Sequence, residues 1–200
     1  MIALIDYGIS NLRSVQKAFE HLDMEVTLVD TPDRLAQAER LILPGVGAFP
    51  AGMKGLQERG LVESIKQAAR DGKPLMGICL GMQLLFESSD EMGKTEGLGL
   101  LPGHVTRMSG RGLKIPHMGW NQLDVVRDHP LVHDLVSGSY AYFVHSYAIY
   151  PEDQGIVLAT TDYGTPFASI VGRGKVCGLQ FHPEKSQAVG LRLLRNFLEM

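Results

Sequence analysis

The sequence predicts an α/β protein in which a mostly parallel central sheet is flanked by helices and extended by an antiparallel or mixed β region. Three observations indicate this fold class. Short apolar runs alternate with amphipathic stretches through residues 2–86, which is the pattern of βαβ crossovers. Strand-like segments then follow one another over residues 104–181 with few helices between them. Finally, no low-complexity tract, linker or internal repeat divides the 200 residues, so a single domain over residues 1–200 is expected.

The parallel half begins with a strand over residues 2–7, because most of these side chains are apolar. A helix follows, in which Leu12, Val15 and Phe19 recur at helical spacing. The next predicted elements are a strand over residues 25–29, a short helix opened by Thr31 and Pro32, a strand over 41–43, a helical region over 53–69 interrupted near Gly60, a strand over 75–78 and a helix over 82–86.

The second half is predicted to be rich in strands and to close with one helix. The predicted strands are residues 104–108, 122–126, 140–150, 156–161, 168–171 and 176–181. Val189, Leu193 and Phe197 have helical spacing and indicate the closing C-terminal helix.

Composition excludes several classes of function. The sequence has 19 Lys and Arg against 22 Asp and Glu, a net charge of −3, which argues against a nucleic-acid binder that works by phosphate neutralisation. No apolar run approaches the roughly 18 residues of a membrane helix, so no membrane partner is predicted. Two cysteines are too few for a disulfide scaffold, which favours a reducing cytoplasm.

The segment Gly77-Ile78-Cys79-Leu80-Gly81 lies where a predicted buried strand meets a helix, and we interpret it as a nucleophile turn. A small residue on each side permits a tight, strained turn that brings the central side chain out at the sheet edge. The positive end of a helix favours the thiolate of Cys79, and the N–H of Leu80 is a candidate oxyanion donor. The alternative is a cysteine packed as a small hydrophobic residue, which is our interpretation of Cys177.

His182 is the candidate general base, because it alone among the seven histidines has a carboxylate ideally placed beside it. Pro183 favours extended geometry at His182, so Glu184 projects the same way and can accept a hydrogen bond from one ring nitrogen. The other nitrogen then faces a nucleophile, as in a Cys–His–carboxylate triad. A solvated turn is the alternative. No His or Cys pair has the short spacing of metal ligands, so no metal is predicted.

The glycine loop Pro44-Gly45-Val46-Gly47 follows the third predicted strand, beside the fourth in a doubly wound sheet. Its glycines permit positive φ and close approach of the backbone, so an N–H of Val46 or Gly47 is the candidate second oxyanion donor. A phosphate-binding loop and a plain turn are the alternatives. The loop lacks the Lys-Ser/Thr of a P-loop and the three glycines of the dinucleotide fingerprint.

Together, the glycine loop, the segment from Gly77 to Gln83 and His182-Pro183-Glu184 resemble, in order and spacing, the motifs of the triad-type glutamine amidotransferases. Finer features resemble one branch of that family, the glutaminase subunits of imidazole glycerol phosphate synthases. These features are Asp6-Tyr7-Gly8 with Asn11, the Gly-Val-Gly of the glycine loop, Met82 before Gln83, the segment Ile115–Asn121 and the run His145-Ser146-Tyr147. Several other glutaminases of the family usually carry histidine at the position of Met82.

The resemblance implies a flavodoxin-like fold, no cofactor and hydrolysis of L-glutamine to glutamate and ammonia through a thioester on Cys79. Gln83, Glu91, Ser146 and Tyr147 are then expected to hold the α-amino and α-carboxylate groups of glutamine. For Glu91 the alternative is a solvated surface residue, and for Tyr147 a side chain packed in the core.

The resemblance also implies a partner, a (βα)8-barrel cyclase in a heterodimer, which uses the ammonia to make imidazole glycerol phosphate. Asn11, Pro116 and Lys185 are similar to residues at that contact, and Trp120 is assigned to it because tryptophan is favoured at interface centres. For Trp120 the alternative is a core position, and for Lys185 a surface charge. Glycines on both sides of Val46 permit its peptide to turn over, which suggests low activity without the partner.

Three other functions stay open. An α/β-hydrolase uses a similar turn, but its acid usually lies between nucleophile and histidine in chain order, whereas Glu184 follows His182. A catalytically silent binding subunit is expected to have lost a triad member, and none is lost. A glutaminase that serves another synthase, such as one for anthranilate, is disfavoured by Met82 and the segment Pro116–Asn121.

Overall fold

The computed structural model describes residues 1–200, with thirteen strands and six α-helices. The first nine elements are β1 (Ile2–Ile5), α1 (Leu12–Glu20), β2 (Val26–Val29), α2 (Pro32–Ala36), β3 (Arg40–Leu43), α3 (Phe49–Glu58), α4 (Leu61–Arg70), β4 (Leu75–Ile78) and α5 (Leu80–Leu84). The others are β5 (Phe86–Ser89), β6 (Thr95–Glu96), β7 (Leu101–Arg107), β8 (His117–Val125), β9 (Ser139–His145), β10 (Tyr147–Pro151), β11 (Val157–Asp162), β12 (Pro166–Arg173), β13 (Val176–Leu179) and α6 (Gln187–Glu199).

The strands form two sheets. The larger has nine strands in the order β2-β1-β3-β4-β13-β12-β11-β8-β9, and its first five strands are mutually parallel while the remaining pairings are antiparallel. The smaller is a mixed sheet of four strands in the order β10-β7-β5-β6. The predicted parallel sheet with an added antiparallel and mixed β region is therefore confirmed.

Strands β1 and β4 of the parallel part are buried on both faces, because their residues are apolar or glycine and helices cover both sides of the sheet. Alternate side chains of one strand enter different cores. Ala3 and Ile5 of β1 belong to the core on one face, whereas Ile2 and Leu4 belong to the core on the other. Each fully buried aliphatic side chain contributes about 1.5–3 kcal/mol of hydrophobic stabilisation, so the sheet edge that carries the site is rigidly supported.

Four sequence interpretations need correction. The helix predicted over residues 82–86 is α5, which begins at Leu80, and Phe86 already belongs to β5. Strands β5 and β6 were not expected. The single strand predicted over residues 140–150 is interrupted at Ser146, so that β9 pairs in the large sheet and β10 in the small one. The strand predicted over residues 122–126 begins earlier, at His117. The predicted break at Gly60 is confirmed, since it separates α3 from α4. None of the helices combines the length and hydropathy that crossing a membrane requires.

Candidate active site

Cys79 lies on a strained turn between β4 and α5. Its backbone has φ 55° and ψ −112°, a conformation that a non-glycine residue adopts only when its surroundings enforce it. A Cβ on Gly81 would collide with the carbonyl of Leu43, and one on Gly77 would lie 2.6 Å from the backbone nitrogen of Met82. The two glycines are therefore required by the close approach of α5 to β3 and β4. The predicted nucleophile turn has this geometry.

The His–Glu pair follows β13, the strand that runs parallel to β4 and in register with it. His182 Nδ1 lies 2.8 Å from Glu184 Oε1, and the two side chains are only 5% and 2% exposed. The backbone N–H of His182 donates to the carbonyl of Tyr142, and the Ser186 hydroxyl donates to the carbonyl of His182. His182 is extended, as predicted, whereas residues 183–185 form a 3-10 turn that folds Glu184 back onto the ring.

Electrostatics make His182 a strong base. Burial alone lowers the pKa of the His182 ring, but interactions with Cys79 and Glu184 outweigh burial and raise this pKa from 6.5 to about 10. The Nε2 atom has no hydrogen-bond partner within the chain. Since Cys79 and His182 line one cavity, the Nε2 atom of His182 is the group placed to exchange a proton with the Cys79 thiol.

Two backbone groups next to the cysteine have free hydrogen-bonding capacity. The N–H of Leu80, the first residue of α5, makes no hydrogen bond within the chain, and neither does the N–H of Gly47. The N–H of Val46, in contrast, donates to the carbonyl of Ile9 over 3.2 Å. Of the three predicted oxyanion residues, Leu80 and Gly47 thus retain a free donor, whereas the Val46 N–H is engaged in this conformation.

Tyr7 holds the glycine loop through a hydrogen bond to its first residue. Its hydroxyl donates to the carbonyl of Pro44 over 2.6 Å, and a Cβ on Gly45 would collide with that hydroxyl. Burial, with the nearby charge of Cys79, raises the pKa of Tyr7, so the hydroxyl remains a neutral donor. Tyr7, which sequence reasoning quoted only as part of the family resemblance, therefore supports the loop that carries the candidate second donor.

One cavity of about 290 Å³ gathers Cys79, His182 and the four predicted substrate residues, whereas Glu184 does not line it. Its lining residues are Val46, Gly47, Cys79, Leu80, Gln83, Glu91, Pro116, Val144, His145, Ser146, Tyr147 and His182. Glu91 is half-buried rather than fully solvated, and its Oε2 accepts a hydrogen bond from the backbone N–H of Phe49 at the start of α3. Sequence reasoning did not assign Val144 and His145 to the site, and it placed Pro116 at the partner contact instead.

An apolar face, formed by Met118, Trp120, Tyr140, Tyr142 and Lys185, lies on β8, β9 and the turn after β13. Trp120 is 47% exposed and pairs across the strands with Tyr142, with the two rings edge to face at 5.9 Å. The Lys185 ammonium lies over the Tyr142 ring, 5.7 Å from its centre. The core alternative for Trp120 does not hold. Asn11 is exposed at the start of α1, which packs against the turn that carries Lys185.

Comparison with known proteins first supports the fold. A crystal structure described as a glutamine amidotransferase superposes with a TM-score of 0.79 at 23% identity, covering 100% of this chain and 98% of that one. The structure of PurLQS from Thermotoga maritima superposes with a TM-score of 0.78 at 24% identity, covering 99% and 97%. At this level of identity the likeness concerns the architecture alone.

The fold and the cysteine turn define a glutamine amidotransferase of class I, and the family model of that description matches residues 3–200. Imidazole glycerol phosphate synthase subunit HisH of Syntrophotalea carbinolica is 51% identical over 206 residues, covering all of both chains. The subunit HisH of Salinibacter ruber is 53% identical over 203 residues, covering 98% of this chain and 93% of the relative. The chain belongs to this HisH family of imidazole glycerol phosphate synthase subunits.

Proposed function

We propose that this chain hydrolyses L-glutamine to glutamate and ammonia as the glutaminase of an imidazole glycerol phosphate synthase. The observation that carries the proposal is the strained Cys79 in the same cavity as His182, whose ring is held by the buried carboxylate of Glu184. The whole chain, residues 1–200, then acts as one glutamine amidotransferase domain. Two free, buried cysteines agree with work in a reducing cytoplasm.

The reaction begins when the Cys79 thiolate attacks the side-chain amide carbon of glutamine. The carbonyl oxygen becomes an oxyanion, which the free N–H groups of Leu80 and the Val46–Gly47 loop stabilise. His182 gives its Nε2 proton to the departing ammonia, and a thioester remains on Cys79. His182 then takes a proton from water, the resulting hydroxide attacks the thioester, and glutamate leaves as the thiolate–imidazolium pair is restored. Glu184 stabilises the imidazolium in both steps.

The four predicted substrate residues, Gln83, Glu91, Ser146 and Tyr147, all line the cavity that contains Cys79 and His182. Glu91 supplies a carboxylate, and the amide of Gln83 supplies a second polar group, for the α-amino end of glutamine. Ser146 and Tyr147, at the junction of β9 and β10, supply backbone and hydroxyl groups for the α-carboxylate. A side chain the size of glutamine fits about 290 Å³, which supports a small amino-acid substrate rather than a large one.

We further propose that the apolar face binds the cyclase subunit, a (βα)8 barrel, in a heterodimer. Exposed Trp, Tyr and Met side chains are typical of interface centres. The face adjoins the active-site mouth, because Val144 pairs with Met118 across the strands and also lines the cavity. A partner seated there would cover the mouth and receive ammonia without release to solvent. Asn11 and Pro116 extend this contact beyond the face, which already includes Lys185.

The hydrogen bond between the Val46 N–H and the Ile9 carbonyl supports the proposal that glutamine hydrolysis depends on the partner. While this N–H donates to the Ile9 carbonyl, the oxyanion has fewer donors, and one such donor is worth about 10²–10³ in kcat. Segment 8–11, which carries Ile9, also carries Asn11, one of the proposed partner contacts. Partner binding is therefore expected to free the Val46 donor and raise the rate of glutamine hydrolysis.

The test is glutamate release from glutamine, measured for the chain alone and with a cyclase subunit plus its ribotide ligand. We expect strong activity only in the complex, and none with Cys79→Ala, which should still support synthesis from added ammonium. Cys177→Ala is the matched control, because its thiol is in the core and it should retain activity. Glutamine turnover by Cys79→Ala would refute the nucleophile. Equal activity with and without the cyclase would refute the partner dependence.

A further inference from the structure

Two buried histidines form a hydrogen-bonded pair beside the active site. His117 of β8 and His145 of β9 are cross-strand partners on the inner face, and His117 Nδ1 lies 3.1 Å from His145 Nε2. Both residues are buried. His145 lines the substrate cavity, but the mechanism assigns it no role. A buried polar pair requires full hydrogen bonding, so its partners reveal what it holds in place.

The directions of the hydrogen bonds follow from one fixed acceptor. His145 Nδ1 lies 2.8 Å from the backbone carbonyl of Tyr147, which can only accept, so Nδ1 carries the proton. His145 Nε2 is then an acceptor, and His117 Nδ1 donates to it. His117 Nε2 accepts from the Asn121 amide, which also donates to the carbonyl of Asp162. Both rings are thus neutral Nδ1–H tautomers, and every ring nitrogen has one partner.

Aromatic neighbours fix the His117 ring. It is stacked between Tyr163 and Phe143, with ring centres 4.1 Å and 4.8 Å away. Phe167 packs edge-on against the His145 ring at 5.0 Å. Burial lowers the pKa of His145 to about 3 and that of His117 to about 4, so neither competes with His182 for a proton. The pair is a rigid, uncharged support.

The His pair supports the backbone carbonyl of Tyr147, and this carbonyl accepts a second hydrogen bond. The Gln83 Nε2 atom donates to this carbonyl over 3.1 Å and to Gln180 Oε1 over 3.1 Å. Both protons of the Gln83 amide are therefore used within the protein. Its Oε1 has no partner in the chain, and Gln83 lines the cavity, so the amide can offer a ligand only an acceptor.

We propose that His145, held by His117, is a positioning residue that fixes the Tyr147 carbonyl and thereby presents Gln83 Oε1 as an acceptor for the α-ammonium group of the substrate. The proposal rests on glutamine hydrolysis as the proposed function. The requirement for an N–H donor selects substrates with a free α-amino group. Analogues in which that nitrogen is replaced by hydrogen are expected to bind poorly, because they leave the Gln83 acceptor unpaired.

A first experiment reads the tautomers directly and does not depend on activity. Long-range proton–nitrogen correlation spectra of 15N-histidine-labelled protein at pH 7, assigned with His117→Asn and His145→Asn, should give neutral Nδ1–H forms for both rings. An Nε2–H form at His145 would overturn the proposal, because Nδ1 would then have no proton to donate to the Tyr147 carbonyl. A doubly protonated His145 would overturn it too, because its Nε2 could not accept the hydrogen bond from His117.

A second experiment reads function in the complex with the cyclase subunit and its ligand. His145→Leu should raise KM for glutamine about tenfold with kcat changed less than threefold. His145→Asn places its amide N–H near the position of Nδ1 and should restore most of that loss, and exposed His133→Asn is the control. A fall in kcat at unchanged KM, or no rescue by asparagine, would refute the positioning role. No glutamine hydrolysis by the wild type would refute the proposed function instead, leaving the tautomer result to decide the pairing.

Discussion

Replacing Glu184 by glutamine keeps the shape of the side chain and removes its charge. In the structure Glu184 Oε1 accepts the Nδ1 proton of His182 over 2.8 Å, and both side chains are almost fully shielded from water. A glutamine oxygen at the same place can still accept this proton. The variant therefore isolates the carboxylate charge from the hydrogen bond that orients the ring.

The expected effect follows from the charge and its burial. Two opposite charges about 4 Å apart interact by about 4 kcal/mol at an effective dielectric constant near 20. The hydrogen bond that the substituted side chain at position 184 still accepts from His182 contributes about 1 kcal/mol. The net loss of about 3 kcal/mol falls on the states in which His182 is an imidazolium, so kcat at pH 7 should decrease about 10²-fold. KM should change little, because Glu184 does not line the substrate cavity.

The assay is steady-state glutamate release in the complex with the cyclase subunit, over a range of glutamine concentrations. Glu63→Gln is the matched control. The Glu63 carboxylate is 77% exposed, so the loss of its charge should leave kcat unchanged. A decrease in kcat below about fivefold, or a rise in KM larger than the fall in kcat, would refute the role of Glu184 as the stabiliser of the imidazolium.

Three further predictions concern packing, partner binding and pH. Gly81→Ala places a Cβ against the Leu43 carbonyl and should lower the free energy of unfolding by about 3 kcal/mol or more, whereas Gly174→Ala, with φ +57° and open space, should cost about 1 kcal/mol. Urea unfolding measures both. Trp120→Ala should weaken cyclase binding about 30-fold by calorimetry, without lowering the unfolding midpoint. Because the fold raises the pKa of His182 from 6.5 to about 10, the stabilisation from its proton is complete below pH 6.5 and is lost as pH rises to 10. The amount is on the order of a few kcal/mol, measured by urea unfolding across that range.

Different outcomes would contradict each of them. Equal losses from the two glycine variants would argue against a close approach of α5 to β3. Unchanged affinity of Trp120→Ala would remove Trp120 from the interface. For the pH prediction, Glu184→Gln is the control, because it removes one of the two groups that raise the pKa of His182 and should show a shallower decline. An equally steep decline in that variant would assign the pH dependence to other groups.

The parallel half of the fold could be predicted because its signals are local. Each strand is a short run of apolar residues, and α1 repeats Val15, Ala18 and Phe19 on one face. The nucleophile turn was predictable for the same reason, since Gly77 and Gly81 lie next to the cysteine that they accommodate. The His–Glu pair is likewise local, two residues apart in the sequence.

The second half was less predictable, because its signals depend on partners distant in sequence. At the start of β8 the large apolar side chains, Met118 and Trp120, are exposed while the buried position is His117, which reverses the apolar-in, polar-out alternation of a typical strand. The exchange of sheets at Ser146 leaves no pattern, because the chain remains extended and apolar on both sides. Strand β5 has only four residues, and since Phe86 alone among them is apolar, its sequence carries no strand signal. For the same reason the support that His117 gives to His145 was not predictable.

Because the chain passes from one sheet to the other at Ser146, the catalytic residues and part of the substrate residues are positioned by different sheets. Cys79 and His182 follow strands of the nine-stranded sheet, whereas Tyr147 begins a strand of the four-stranded sheet and Glu91 lies just beyond the end of another. A glutamine molecule that contacts Cys79 with its side-chain amide and Glu91 and Tyr147 with its α-amino acid end would therefore link the two sheets. Its arrival should slow hydrogen exchange along β5 and β10, far beyond the atoms it touches. We therefore expect an amino acid shorter or longer than glutamine to be hydrolysed more slowly, because it would not reach both the substrate residues of the small sheet and the sulfur of Cys79.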